Sequence, residues 1–450
     1  MKPTLRFHHR LSALLLLSAV LGCGSRPAPT QKPASDSQDD TAQAAQPQPA
    51  PDPFAGVHAY LESLVEERKI AGAVALVIKG GEIVYSDELG MRDVEAERPM
   101  TEDTIFRICS MTKPVTSVGA LMLVEEGRIS LDDPVSKYIP AFGKVQVAVR
   151  GANGKVRRVR AERPITIRDL LTHTSGLDYS FLADDYLGPL YAKAGVSDGL
   201  AEAPGTMADN VARLARLPLA HQPGKAWRYG LSVDVLGHII EKVSGQTLAD
   251  YLEERIFAPL GMKDTGFRVA PEDEERLAAV YRPAGDDQII ERLPDGPSKQ
   301  GNLTYSASYP LDRESRYYSG GAGLVSTARD YARFAQMLLE GGSLDDVQIL
   351  KPETVAEMTR SHTGDLPIEG GSNGDGFGLG VAVVSEAAAG TVGAALGSAG
   401  SFSWGGFYYT LFWVDPQEKL VGIVLTQIYP WDHLDVWPGF RSRVYEALSE

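Results

Sequence analysis

Ser110 and Lys113 lie three positions apart in Phe106-Arg107-Ile108-Cys109-Ser110-Met111-Thr112-Lys113-Pro114. Three residues make about one helical turn, so the amine rises beside the hydroxyl on one face. A serine hydroxyl is a weak nucleophile until something takes its proton. A lysine held in apolar surroundings can lose its own proton, or support another base, and so activate the serine. The apolar run Val115 to Val124 follows, and Gly127 closes it. This predicts a helix over about 110–127 with Ser110 at its start. Pro114 suits a first turn, whose N–H groups lack intrahelical partners anyway. The same terminus offers N–H groups and partial positive charge to a developing oxyanion. A capping serine followed by a solvated lysine is the plainer alternative. Against it, no other serine in the chain has a lysine three residues on, and the helix is apolar enough to be buried. Cys109 is a rival nucleophile, but its neighbours Phe106, Ile108 and Met111 are apolar, and a buried free cysteine mostly packs as a small hydrophobe.

The elements that must hold this pair can be followed along the chain. Phe54, Val57, Tyr60, Leu61, Leu64 and Val65 recur at helical spacing. Ala73 to Ile78 and Ile83 to Leu89 read as strands joined at Gly80-Gly81, a hairpin. Val145 to Arg150 and Val156 to Arg160 read as an irregular hairpin with a solvated arginine face. Residues 166–174 form a short helix, and Val233 to Val243, Leu248 to Phe257 and Ala328 to Leu339 are helices with Gly, Thr or Ser at their ends. Stretches 178–208 and 268–320 lack firm periodicity and are rich in Tyr, Gly and Pro; such long loops often wall a binding site. Phe377 to Val384, Phe402 to Val414 and Leu420 to Thr426 read as strands, and Val436 to Leu448 as a final helix. The expected fold class is α/β: one antiparallel sheet built from both ends of the chain, flanked by helices. A mainly helical lobe, about 130–340, is inserted, with a site between the lobes.

Composition limits the partners. The 450 residues carry a formal charge of −15, with 43% hydrophobic and 23% charged residues, the profile of a globular protein with no basic surplus for nucleic acid. Lys2, Arg6 and Arg10 precede the apolar Leu11 to Val20, which predicts a secretion signal too short to span a membrane. It ends in Val20-Leu21-Gly22-Cys23, which resembles the lipobox of bacterial lipoproteins. That resemblance implies acylation at Cys23, a lipid anchor as the only membrane contact, and a place in the bacterial cell envelope facing the periplasm or exterior. Residues 24–53 include seven prolines and almost no large apolar residue, so they read as a disordered tether between the signal (1–23) and a domain at 54–449. With Cys23 acylated, Cys109 has no disulfide partner.

Two further motifs join the first. Tyr229 follows a proline-glycine loop, PGKAWRYG at 223–230, and Trp404-Gly405-Gly406-Phe407 places paired glycines inside an apolar run. Paired glycines weaken a strand unless a backbone or ligand approaches closely. With Ser-Met-Thr-Lys at 110–113, their order and spacing resemble the serine β-lactamase-like superfamily. It comprises class C β-lactamases, low-molecular-weight penicillin-binding proteins and family VIII carboxylesterases. LLTHTSGL at 170–177, GGAGLVSTARDYARF at 320–334 and FWVDP at 412–416 agree. The resemblance covers about 54–449 and implies a β-lactamase/transpeptidase-like fold. It implies Ser110 as acylated nucleophile, Lys113 as its proton partner and Tyr229 as a phenol that shuttles protons. The backbone N–H groups of Ser110 and Phe407 would form the oxyanion hole, and Trp404, Gly405 and Gly406 would line the substrate site. His173 reads as structural. No His, Asp or Glu cluster has metal-ligand spacing, and no cofactor is implied.

Two departures set the substrate class. The lactamase pattern has asparagine two residues after this tyrosine, where Leu231 stands, and Lys-Thr-Gly or similar where Trp404-Gly405-Gly406 stands. The missing groups are those that would hold a carboxylate and side-chain amide. The chain therefore resembles the esterase branch, an exported serine hydrolase of small neutral esters. The alternatives are a β-lactamase or D-amino-acid peptidase acting on an amide, and a non-catalytic acyl-serine binding protein or envelope scaffold. Replacing Ser110 by Ala should abolish covalent labelling by a fluorophosphonate, while Cys109→Ala should preserve it. Intact mass separates the two: label surviving only in Ser110→Ala reverses the assignment.

Overall fold

The computed structural model describes residues 52–285, 288–368, 376–390 and 397–449. The signal (1–23) and nearly all of the tether lie outside them. Eight antiparallel strands form one sheet, in the order Gly376–Phe377, Ala382–Val383, Phe402–Gly405, Leu411–Asp415, Leu420–Leu425, Gly72–Lys79, Glu82–Asp93 and Arg98–Pro99. The two ends of the chain meet at its centre, where Val74 to Lys79 pair with Leu425 to Leu420. Gly72 to Ile78 are all buried, because helices cover both faces and the alternating side chains of each strand find a core either way. Ala73, Ala75 and Val77 pack with Val57, Leu61 and Leu64 of the helix Ala55–Glu66 and with Phe440 and Val444 of the helix Val436–Ser449. Val74, Leu76 and Ile78 face the larger core, with Tyr331 and Phe334 of the helix Ala328–Leu339. Tyr331 packs at 5.0 Å against Phe412, the rings tilted, so this helix, assigned by pattern to the helical lobe, lies on the sheet.

Gly80 and Gly81 adopt φ of +61° and +91°, the left-handed pair that a two-residue hairpin turn requires. Opposite Trp413 stands Gly422, where a Cβ would come within 2.1 Å of the indole; the glycine is the space the ring occupies.

Two stretches differ from their pattern. Phe402 to Val414 reads as one run but folds as a hairpin, Phe402–Gly405 and Leu411–Asp415. The Gly406 N–H reaches the Thr410 carbonyl at 2.7 Å, and Tyr409 turns at φ +66°. Phe377 to Val384 likewise divides into Gly376–Phe377 and Ala382–Val383, with Gly380 at φ +100° between them. The stretch 268–320 holds two hairpins, Tyr281–Ala284 with Ile289–Arg292 and Pro297–Gln300 with Leu303–Ser306. Leu187–Ala194 and the start of Met207–Leu214 form helices within 178–208.

Candidate active site

The pair Ser110 and Lys113 follows a sharp turn of the chain at Cys109. Cys109 sits at φ +44°, a left-handed conformation that costs a non-glycine residue about 1–3 kcal/mol. A single 3-10 turn, Cys109–Met111, then leads into the α-helix Thr112–Glu125. Every residue from Thr112 to Leu123 is buried, and Lys113 has no solvent exposure. The Cys109 thiol points away into an apolar cluster with Tyr309, Sγ to OH 3.9 Å, and burial pushes it up to about 11.

A buried ammonium must find partners, and Lys113 finds them on three elements. Its Nζ donates to Ser110 Oγ at 3.2 Å, to Tyr179 OH at 2.9 Å and to the Gly321 carbonyl at 2.8 Å. It also stands 4.5 Å from the Tyr229 ring centroid, a cation–π contact. The Tyr229 hydroxyl donates to Ser110 Oγ at 2.7 Å. Ser110 Oγ therefore has a phenol and an amine within proton-transfer distance.

The Tyr229 ring is caged by His173, Tyr179, Trp227 and Trp404, with centroids 5.0 to 6.0 Å away. The Trp404 indole N–H lies 3.4 Å from the Tyr229 hydroxyl. His173 is wholly buried, and burial first, then the charge of Lys113, holds its pKa well below the ordinary value. It serves here as a neutral ring.

Tyr179 is a site residue that the motifs did not single out, two positions beyond the landmark ending at Leu177. It reaches Lys113 because its segment lies on the Tyr229 loop: a Cβ at Gly230 would meet the Leu177 carbonyl at 2.4 Å. An ion pair, Arg228 Nε to the buried Asp178 at 2.9 Å, joins the residues immediately before the two tyrosines. Phe181 stacks on Tyr179 at 5.2 Å, so the 178–208 loop does wall the site.

The 404–407 segment comes alongside the serine turn. A Cβ on Gly406 would meet the Ile108 carbonyl at 2.4 Å, and one on Gly405 would strike the Trp437 ring at 2.3 Å. Close approach is thus the reason for both glycines. Phe407, the expected oxyanion donor with Ser110, stacks at 4.0 Å on Tyr429, and its carbonyl accepts from Trp431 Nε1 at 3.0 Å. Leu231 is fully buried in the core. Behind the serine turn, the buried Arg107 guanidinium bonds the Ala307 and Ala278 carbonyls and Gln427. Among the described residues no group of three or more His, Cys, Asp or Glu side chains could hold a metal ion.

Comparison with known proteins identifies the family and the fold. The model of the Beta-lactamase family matches residues 57–439. Esterase EstB of Burkholderia gladioli is 36% identical over 378 residues, covering 83% of this chain and 90% of the relative. Protein Rv1367c of Mycobacterium tuberculosis is 36% identical over 416 residues, covering 88% of this chain and 99% of the relative. Among solved structures, EstCE1, a hydrolase with promiscuous acyltransferase activity, superposes with a TM-score of 0.74 at 31% identity, covering 88% of this chain and 98% of its own.

The two tyrosines should separate in mutants. Tyr229→Phe removes the hydroxyl on Ser110 and should lower kcat roughly 10²- to 10⁴-fold. Tyr179→Phe removes one acceptor from a charged donor and should cost about 1.5–3 kcal/mol, or roughly ten- to a hundred-fold. Steady-state ester hydrolysis by folded variants checks the order; a larger loss in Tyr179→Phe would reverse the roles.

Proposed function

The chain belongs to the Beta-lactamase family and is a serine hydrolase; on that premise we propose that it is a carboxylesterase acting on small neutral esters through an acyl-enzyme. In the reactive form Tyr229 is a phenolate held beside the Lys113 ammonium, and Ser110 Oγ attacks the ester carbonyl while its proton passes to the Tyr229 oxygen of this pair. The oxyanion is met by the backbone N–H groups of Ser110 and Phe407. The alcohol leaves with a proton from the same pair, and water, deprotonated by it, then releases the acid.

The observation that carries the substrate class is Trp404, whose indole stands beside Tyr229, together with the burial of Leu231 in the core. An aromatic wall with one N–H suits an uncharged acyl or alcohol group, whereas a substrate carboxylate needs charge-assisted donors. The similarity to Esterase EstB supports the same reading. We also propose that the protein is exported and anchored by a lipid on Cys23, with residues 24–53 as tether; the charged, apolar and lipobox-like order of residues 2–23 supports this.

Two measurements test these readings. Purified protein should show the higher kcat/KM on p-nitrophenyl butyrate than on nitrocefin, and Trp404→Lys should lower ester turnover without creating an efficient lactamase. A preference for nitrocefin sinks the esterase reading in favour of the lactamase one. In a bacterial host, the full chain should sediment with membranes and Cys23→Ala should move it to the soluble fraction; an unchanged distribution refutes the anchor.

A further inference from the structure

Behind Lys113, on the side away from Ser110, lies a carboxylate that the acylation chemistry does not use. Asp234 stands in the first turn of the helix Ser232–Ser244 and is only 1% exposed. Its Oδ1 accepts from Ser319 Oγ at 2.7 Å and from Tyr317 OH at 3.1 Å. Its Oδ2 lies against Gly321, where a Cβ would come within 2.5 Å of it. Gly321 is the residue whose carbonyl accepts from Lys113, and the same added Cβ would lie 3.2 Å from Tyr179 OH. The backbone at Gly321 thus stands between a buried cation and a buried anion, and only a glycine leaves them this close. Thr116, one turn beyond Lys113, fixes the preceding residue by donating to the Gly320 carbonyl at 2.8 Å. Neither hydroxyl on Asp234 carries charge, so the charge opposite this carboxylate is that of Lys113. Burial raises the Asp234 pKa, and Lys113 is among the groups that pull it back.

We propose that Asp234 is the positioning residue of Lys113, a buried counter-charge that acts through Gly321 to hold the ammonium beneath Ser110 and to fix the pH range in which it activates the serine. The proposal rests on the reading of Ser110 and Lys113 as the acylation pair. Other groups facing Lys113 are Tyr179, Tyr229, His173 and Cys109. Those facing Asp234 include Tyr317, Tyr179 and the second buried carboxylate, Asp198, which takes the N–H and hydroxyl of Ser180. Burial first, opposed by those bonds, and then Asp234 itself leave Asp198 at about 6. The sign of the effect is fixed by charge. Taking away the negative neighbour makes the ammonium easier to deprotonate, so whichever limb of the pH profile belongs to Lys113 moves to lower pH.

The test is the second-order rate of fluorophosphonate labelling at Ser110, followed by intact mass from pH 5 to 10 in the full-length protein. Asp234→Asn should move the limb down by about half a unit to one unit. Asp234→Ser, smaller and also neutral, should move it the same way and serves if the asparagine variant does not fold. Ser319→Ala removes the bond that most opposes the effect of burial on this carboxyl, and should move the limb the same way by no more than the neutral variants do. An unmoved limb in the folded neutral variants overturns the counter-charge role. Absence of labelling in the unaltered protein would instead remove the acylation pair, and this inference with it.

Discussion

One buried ammonium governs the site. A cation with no solvent exposure costs several kcal/mol unless its hydrogen-bonding positions are filled, and Lys113 fills them from three separate segments: its own helix turn, the Tyr179 loop and the Gly320-Gly321 strip. Each segment must be in place before the others are useful. A separate two-stranded pairing beside the large sheet provides that frame. Phe106–Arg107, which leads into the serine turn, pairs with Val325–Ser326, and the buried Arg107 ties the same point to Ala278, Ala307 and Gln427. Its bonds go to neutral oxygens, so it acts as a fixed node joining four distant parts of the chain.

The aromatic cage does the corresponding work for Tyr229. A phenol must keep its ring still to present its hydroxyl at 2.7 Å to Ser110, and four rings plus a cation leave it little freedom. His173 contributes as a ring because burial keeps it uncharged; a charged imidazole beside Lys113 would add a second buried cation. The backbone strain at Cys109, φ +44°, belongs to the same design. It is tolerated because the thiol is packed on the far side with Tyr309, which leaves Ser110 on the cleft side.

Much of this was legible in the sequence, and the reasons for the rest are physical. Ser110, Lys113, Tyr229 and Trp404 come together as their motifs implied, and the strands at 72–79 and 420–425 meet as their apolar runs suggested. The family resemblance carried most of that, because Tyr229 and Trp404 are far from Ser110 in sequence. Tyr179 escaped because a tyrosine in an aperiodic loop has no local signature, and its role depends on the contact of Leu177 with Gly230. The hairpins within 268–320 escaped because their strands are short and partly exposed, which blurs the alternation that marks a strand. Phe402 to Val414 misled in the other direction: Phe407, Tyr408 and Tyr409 extend the apolar run through what is a turn, because the turn itself is packed under Trp431 and Tyr429.

The same accounting of charge bears on what the proposed enzyme would accept. An anionic substrate needs a cation that is still available to it. Three cations in the segments that carry Ser110 and Tyr229 are committed within the protein: Lys113 to Tyr179, Gly321 and the serine, Arg107 to carbonyls, and Arg228 to Asp178. At the wall where a lysine would otherwise stand there is an indole, and the chain as a whole carries −15, which disfavours the approach of anions at low salt. A neutral ester asks for none of these charges. It needs a nucleophile, N–H groups for its oxyanion and an apolar surface beside them. The buried carboxylate behind Lys113 fits this logic, since a site that balances its own cation internally does not depend on the substrate to do so.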